Sequence, residues 1–245
     1  MSRVIAVANQ KGGVGKTTTN VNLSACLAVL GKRVLTIDID PQGNTTSGLG
    51  IDKNHAKYSI YDIIVNGVDA KDTILHTSVK NLDIIVSKIQ LAGAEIELVP
   101  MMAREMILKK ALADIKEDYE YILIDCPPSL GLITINALTA ADKLLVPIQC
   151  EYYALEGLTQ LMSTYELVKK NLNPNLEIEG VVLTMFDART NLSIQVVDEV
   201  KKHFRNKVYT TIIPRNVRLG EAPSHGVPVI LYDPKCIGAE AYTDL

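Results

Sequence analysis

The chain has 245 residues, 47% of them apolar and 22% charged, with a formal net charge of −3. That length and balance suit a soluble protein with one large core, and the charge excludes a surface that is basic all over, though not a local basic patch. No apolar run reaches membrane-spanning length, which excludes a transmembrane helix.

Met1-Ser2-Arg3 leads straight into an apolar, β-branched run, Val4 to Ala8, so no signal peptide is expected and the run reads as a buried strand. A turn follows, Lys11-Gly12-Gly13-Val14-Gly15, and then Lys16, Thr17 and Thr18 open an apolar-periodic helix. Strand, glycine turn and helix form the setting of a phosphate-binding loop. Glycines let the backbone turn its N–H groups inward, and the helix start adds partial positive charge. Lys16 is placed to reach the β- and γ-phosphates, and the Thr17 hydroxyl to bind Mg²⁺. The usual pattern would have glycine at position 10; Gln10 stands there, and a second lysine, Lys11, opens the turn.

The first helix is predicted over 17–30, with Val21, Leu23, Ala25, Leu27 and Leu30 as its apolar positions and Gly31 as its stop. Arg33 to Ile37 is the next buried strand, ending in DIDPQGNTTSG. Asp38 and Asp40 thus stand at the carboxyl end of a strand, the edge where open α/β sheets bind ligands. Pro41, Gly43 and Asn44 also allow a plain turn cap there, but beside a phosphate loop a catalytic or Mg²⁺-linked role for one of the two is expected.

A short helix is expected over 59–65 and a strand over 81–86. Residues 95–115 carry helical periodicity, with a break or kink at Pro100, and Met101, Met102 and Met106 are assigned to core filling. Tyr121 to Asp125 is an apolar strand ending in a carboxylate, the form of a Walker B element, whose Asp holds Mg²⁺. Pro127, Pro128 and Gly131 make a stiff turn fit to sense a γ-phosphate. Strands follow over 144–148, 180–185 and 208–213, with helices over 154–171 and 191–204. This alternation, without linker, repeat or low-complexity tract, predicts an α/β protein: residues 1–245 form a single doubly wound domain with a mostly parallel sheet, of P-loop NTPase type.

Cys26, Cys126, Cys150 and Cys236 lack metal-ligand spacing and are expected as reduced thiols in a cytosolic protein. His55, His76, His203 and His225 form no ligand pair. Between Thr184 and Arg218 seven Lys or Arg stand against three acids (Asp187, Asp198, Glu199), which is either a solvated face with unrelated loop arginines or a patch for a phosphate backbone.

KGGVGKTT, DIDPQGN, DCPPSLG, CEYYALEGL, TMFDARTN and IPRNVRLGEAPSHG together resemble the ParA family of chromosome-partitioning ATPases, most closely its Soj branch, over nearly the whole chain. The loop alone would also fit MinD and nitrogenase iron proteins; CEYYALEGL and PRNVRLGEAPSHG narrow the likeness. The resemblance implies ATP/ADP and Mg²⁺ as cofactors. It makes Lys11 a lysine that reaches the partner copy's phosphates across a dimer interface, Lys16 the phosphate lysine and Thr17 the Mg²⁺ ligand. Asp125 becomes the Walker B carboxylate, and Asp40 the aspartate that positions the attacking water, with Asp38 in support. Gly12, Gly13, Val14, Gly15 and Thr18 complete the phosphate cradle, and Pro214 and Asn216 hold the adenine. Arg189 and Arg218 match arginines that bind double-stranded DNA without sequence preference in the ATP-bound homodimer. The implied partners are a ParB-type protein, DNA of the nucleoid and, for some relatives, a replication initiator; the implied place is the cytoplasm. Two departures carry expectations. The helical extension with which plasmid relatives bind an operator is missing at the N-terminus, so no direct autoregulation is expected. The chain ends at YTDL within the family's last helix, without MinD's amphipathic membrane tail. A MinD-like membrane ATPase and a metabolic or metal-delivery ATPase on the same fold are the alternatives.

Overall fold

The computed structural model describes residues 2–151 and 156–245. Strand β1 (Arg3–Val7) leads into helix α1 (Lys16–Val29), then β2 (Val34–Asp38), α2 (Asn44–Gly48), α3 (Ile60–Ile64), β3 (Ile74–His76), β4 (Leu82–Ile85), α4 (Leu91–Leu98) and α5 (Ile107–Leu112). The second half runs β5 (Tyr121–Asp125), α6 (Leu132–Ala140), β6 (Lys143–Gln149), α7 (Glu156–Asn171), β7 (Glu177–Phe186), α8 (Asn191–Phe204) and β8 (Val208–Pro214). Three short helices close it: α9 (Val217–Glu221), α10 (Val229–Tyr232) and α11 (Ile237–Thr243).

Among the described residues the strands form one sheet, ordered β3-β4-β2-β5-β1-β6-β7-β8. Every pairing is parallel except that of β3 with β4. The expected doubly wound α/β fold is therefore present, with one antiparallel edge strand added. The central strands are buried on both faces, and alternate residues feed opposite layers. From β1, Val4 and Ala6 enter the core under α3 to α8, while Ile5 and Val7 meet Cys26, Val229 and Tyr242 on the other side. β1 lies between β5 and β6, so the loop after it opens at the switch point of the strand order, where such sheets bind ligands.

Several expectations are corrected. Helix α1 stops at Val29, and Leu30 is 66% exposed: Gly31, at φ 87°, turns the chain by donating to Ala28 O, which takes Leu30 out of the buried face. Residues 95–115 split into two helices, with Ala103 at φ 50° in the turn after Pro100. That turn puts Met102 in solvent, 93% exposed, while Met101 and Met106 are half-buried, so Met102 is not core filler. The expected start of the fourth helix at Ala154, and Tyr152 to Leu155 of CEYYALEGL, lie outside the described residues.

Candidate nucleotide site

The loop 9–15 is built from its own side chains and its neighbours. Asn9 donates from Nδ2 to Pro147 O (2.8 Å) and accepts from Lys11 N (3.1 Å), pinning the turn to β6. Thr184 on β7 donates to Val14 O at 2.8 Å. Gly15 caps α1 at φ 86°, a conformation that favours glycine, and it offers no side chain to the first-turn N–H groups of α1, which have no intrahelical acceptor. Lys16 is buried, and its Nζ donates to Lys11 O at 3.0 Å, across the turn. Burial lowers its pKa, and the charge of Asp125 works against that shift.

Three carboxylates gather at the ends of β2 and β5. Asp38 and Asp125 are register partners on those neighbouring strands, and both are fully buried. Burial raises the pKa of each, and the nearby Asp38 charge raises Asp125 further. Asp125 Oδ2 accepts from Thr17 Oγ1 and Thr45 Oγ1, both at 2.8 Å, while its Oδ1 has no hydrogen bond with any described residue. Asp38 Oδ2 accepts from Thr46 N (2.8 Å) and Thr46 Oγ1 (2.7 Å). Asp40, nearly buried, accepts at Oδ1 from Gln42 N at 2.9 Å, which holds its carboxylate at the site's edge. The orphaned Asp125 oxygen beside the Thr17 hydroxyl is a hard-oxygen set, fit for a small divalent cation that keeps most of its waters.

A cavity of about 210 Å³ opens off the loop at Gly15 and Thr18 and is lined also by Met185, Pro214, Asn216 and Tyr242. The structure thus brings Pro214 and Asn216 beside the phosphate loop, although some 200 residues separate them in sequence. Asn216 Oδ1 accepts from Arg218 N, which leaves the amide Nδ2 as its donor.

A family model described as an AAA domain matches residues 2–178. The chain is 66% identical over 245 residues to the sporulation initiation inhibitor protein Soj of Bacillus subtilis, covering 100% of this chain and 97% of that one. It belongs to the ParA/Soj family of chromosome-partitioning ATPases. The chromosome partitioning protein ParA of Caulobacter vibrioides is 54% identical, over 99% of this chain and 92% of its own. A solved cobyrinic acid a,c-diamide synthase from Mycobacterium smegmatis, with bound ADP and magnesium, superposes with TM-score 0.88 at 38% identity, over 100% of this chain and 92% of that one. As a ParA/Soj ATPase, the chain carries its phosphate loop where the fold requires it.

Neither of the two arginines singled out for DNA is among the residues that line the cavity at Gly15, although Arg218 N donates to Asn216 Oδ1 at its rim. Arg189 follows β7 and makes two bonds to Asp187, at 2.9 and 2.7 Å; Arg218 contacts Glu221 at 2.7 Å and Asp233 at 3.2 Å. The Arg189 guanidinium holds the Asp187 carboxyl down at about 2. The seven basic residues do not form one patch. Arg189, Arg215 and Arg218 follow the carboxyl ends of β7 and β8, whereas Lys201, Lys202, Arg205 and Lys207 precede β8 at the far end of α8. That helix has 14 residues and so spans about 21 Å.

Thr45, Thr46, Thr184 and Asn20, whose Nδ2 donates to Thr36 Oγ1 at 2.6 Å and to Thr45 Oγ1 at 3.4 Å, were not found from the sequence. Their one signal was position: two threonines directly after DIDPQGN, and a polar residue inside the apolar period of α1. No helix among the described residues is long and apolar enough to cross a membrane.

Proposed function

We propose that this chain is an ATP-driven switch of DNA segregation, in which ATP joins two copies and the pair binds double-stranded DNA without reading sequence. The observation that carries it is the Asp125 carboxylate, shared with Thr17 and open at Oδ1, beside Lys16 and the phosphate loop. Kinship with Soj and ParA proteins supports the partition role and a ParB-type partner at the nucleoid.

In this reading Lys16 leaves Lys11 O for the β- and γ-phosphate oxygens, and the first-turn N–H groups of α1 hold the same phosphates. Mg²⁺, when bound, neutralises charge that builds on the phosphoryl oxygens. Thr17 and Asp125 are the residues that would hold it. Asp40 orients the attacking water, and Lys11 of each copy reaches the other's phosphates. The Gly15 and Pro214 cavity takes the adenine, with Asn216 donating to it. Arg189 and Arg218 meet the DNA backbone by exchanging carboxylate partners for phosphates, so that step is salt-sensitive.

P-loop NTPases hydrolyse nucleotide by themselves at ~10⁻⁴ s⁻¹ without an arginine finger and at ~10⁻² s⁻¹ with one supplied in cis. Phosphate release by the isolated chain with Mg²⁺ and ATP is expected in that range, rising when DNA and the basic N-terminal segment of a ParB-type protein are added together. Fast turnover by the chain alone would contradict the switch.

A further inference from the structure

A single carboxylate oxygen joins two elements that the ATPase reading treats separately. Asp125 Oδ2 accepts a hydroxyl from Thr17 in the first turn of α1 and another from Thr45 in α2, each at 2.8 Å. An ionised carboxylate only accepts, so both hydroxyl protons point at it. One such bond leaves a carboxylate free to turn about its broad terminal torsion. Two donors from different elements hold Oδ2 in place and so fix where Oδ1, which has no partner among the described residues, is aimed. Thr17 directly follows Lys16 in the first turn of α1, whereas Thr45 belongs to α2.

Thr45 is also tied to the loop that bears Asp40. Gly43 N donates to Asp40 O at 2.8 Å, Gly43 caps α2 in the left-handed region, and Thr45 is the second residue of that helix. The next residue, Thr46, holds Asp38 through its N–H and hydroxyl, and Ser87 N donates to the Thr46 hydroxyl at 3.1 Å. Adjacent threonines therefore fasten one five-residue helix to two buried aspartates on neighbouring strands. Any turn of the Asp125 carboxylate is felt at α2, and any shift of α2 moves the carboxylate.

We infer that Thr45 is a positioning residue: its hydroxyl aims the Asp125 carboxylate at the cation and couples cation binding to the position of the Asp40 loop. This rests on the proposed role of Thr17 and Asp125 in holding Mg²⁺. Partners that orient a metal-ligating group typically contribute 10- to 100-fold in metal affinity.

The test is a titration of MgCl₂ into the full chain with a fluorescent ADP analogue, which avoids turnover, together with hydrogen exchange of residues 40–48. Wild type, Thr45→Val and Thr45→Ser are compared. Thr45→Val should need about 10- to 100-fold more Mg²⁺ for half-saturation. It should keep the wild-type ADP affinity without metal and lose the Mg²⁺-dependent protection of residues 40–48. Thr45→Ser should restore both. If Thr45→Val does not fold, Thr45→Cys replaces it, with similar volume and a far weaker donor. The inference is overturned if the variant needs no more Mg²⁺ than wild type, if serine fails to rescue, or if metal-free ADP binding falls equally. Should wild-type ADP binding ignore Mg²⁺, the assignment of Thr17 and Asp125 fails first and separately.

Discussion

Lys16 is pulled two ways: burial lowers its pKa, and the charges of Asp125 and Asp40 raise it. A phosphate would add negative charge on the same side and keep the ammonium protonated. Lys16→Ala should weaken ATP binding by roughly 10- to 100-fold, the loss of one or two charge-assisted hydrogen bonds. Asp40→Ala should bind ATP nearly as wild type does and lose hydrolysis by about 10²-fold or more, the usual worth of a group that handles the nucleophile's proton. Equilibrium binding and single-turnover hydrolysis separate the two; a collapse of ATP binding in Asp40→Ala would make that residue structural. Asp38 and Asp125 carry a pH prediction. Both are raised in the fold, so between the ordinary carboxylate value near 4 and their raised values the folded state holds protons the unfolded chain has lost. Stability from these groups is present at low pH and falls as pH climbs through that interval. Thermal unfolding of the nucleotide-free chain between about pH 5 and pH 7.5 should show this slope, and Asp125→Asn should flatten it. An unchanged slope would mean the pair does not titrate there.

At the scale of elements, α11 reaches back to the nucleotide site. Tyr242 is fully buried against α1 and β1, its hydroxyl lies 3.1 Å from Thr19 Oγ1, and its ring lines the cavity at Gly15. Tyr242→Phe should cost about 1 kcal/mol, one hydrogen bond, and Tyr242→Ala about 3–5 kcal/mol, both read by denaturant unfolding. A silent alanine variant would show that α11 does not brace α1. The strands that carry the site were legible because each is a short β-branched run bounded by turn residues, as at Val4 to Ala8 and Tyr121 to Asp125. Strand β3 was not: Ile74–His76 is three residues long and pairs only at the sheet edge. Helix α6, LITINALTA, is buried on nearly every side, so its sequence has no polar face and no period to read. In the site, the loop and the terminal aspartates could be read from spacing. The threonine clamp could not, because hydroxyls at positions 45 and 46 gain meaning only when β2 and β5 lie side by side.

For the molecule as a whole, the strand order decides which charges act together. Placing β7 beside β8 in parallel puts Arg189 and Arg218 at the same sheet edge as the phosphate loop and sends the lysines of α8 to the other end. Nucleotide and DNA would then be felt on one edge of one sheet, which is what a switch needs. The most direct measurement is retention on double-stranded DNA, with particle mass followed in parallel, for the chain with ATP, with ADP and with no nucleotide. With ATP alone the chain should form a dimer that coats DNA, DNA retention should weaken steeply as salt is raised, and Arg189→Glu with Arg218→Glu should lose DNA but not dimer mass. Equal mass and equal retention without nucleotide would contradict it.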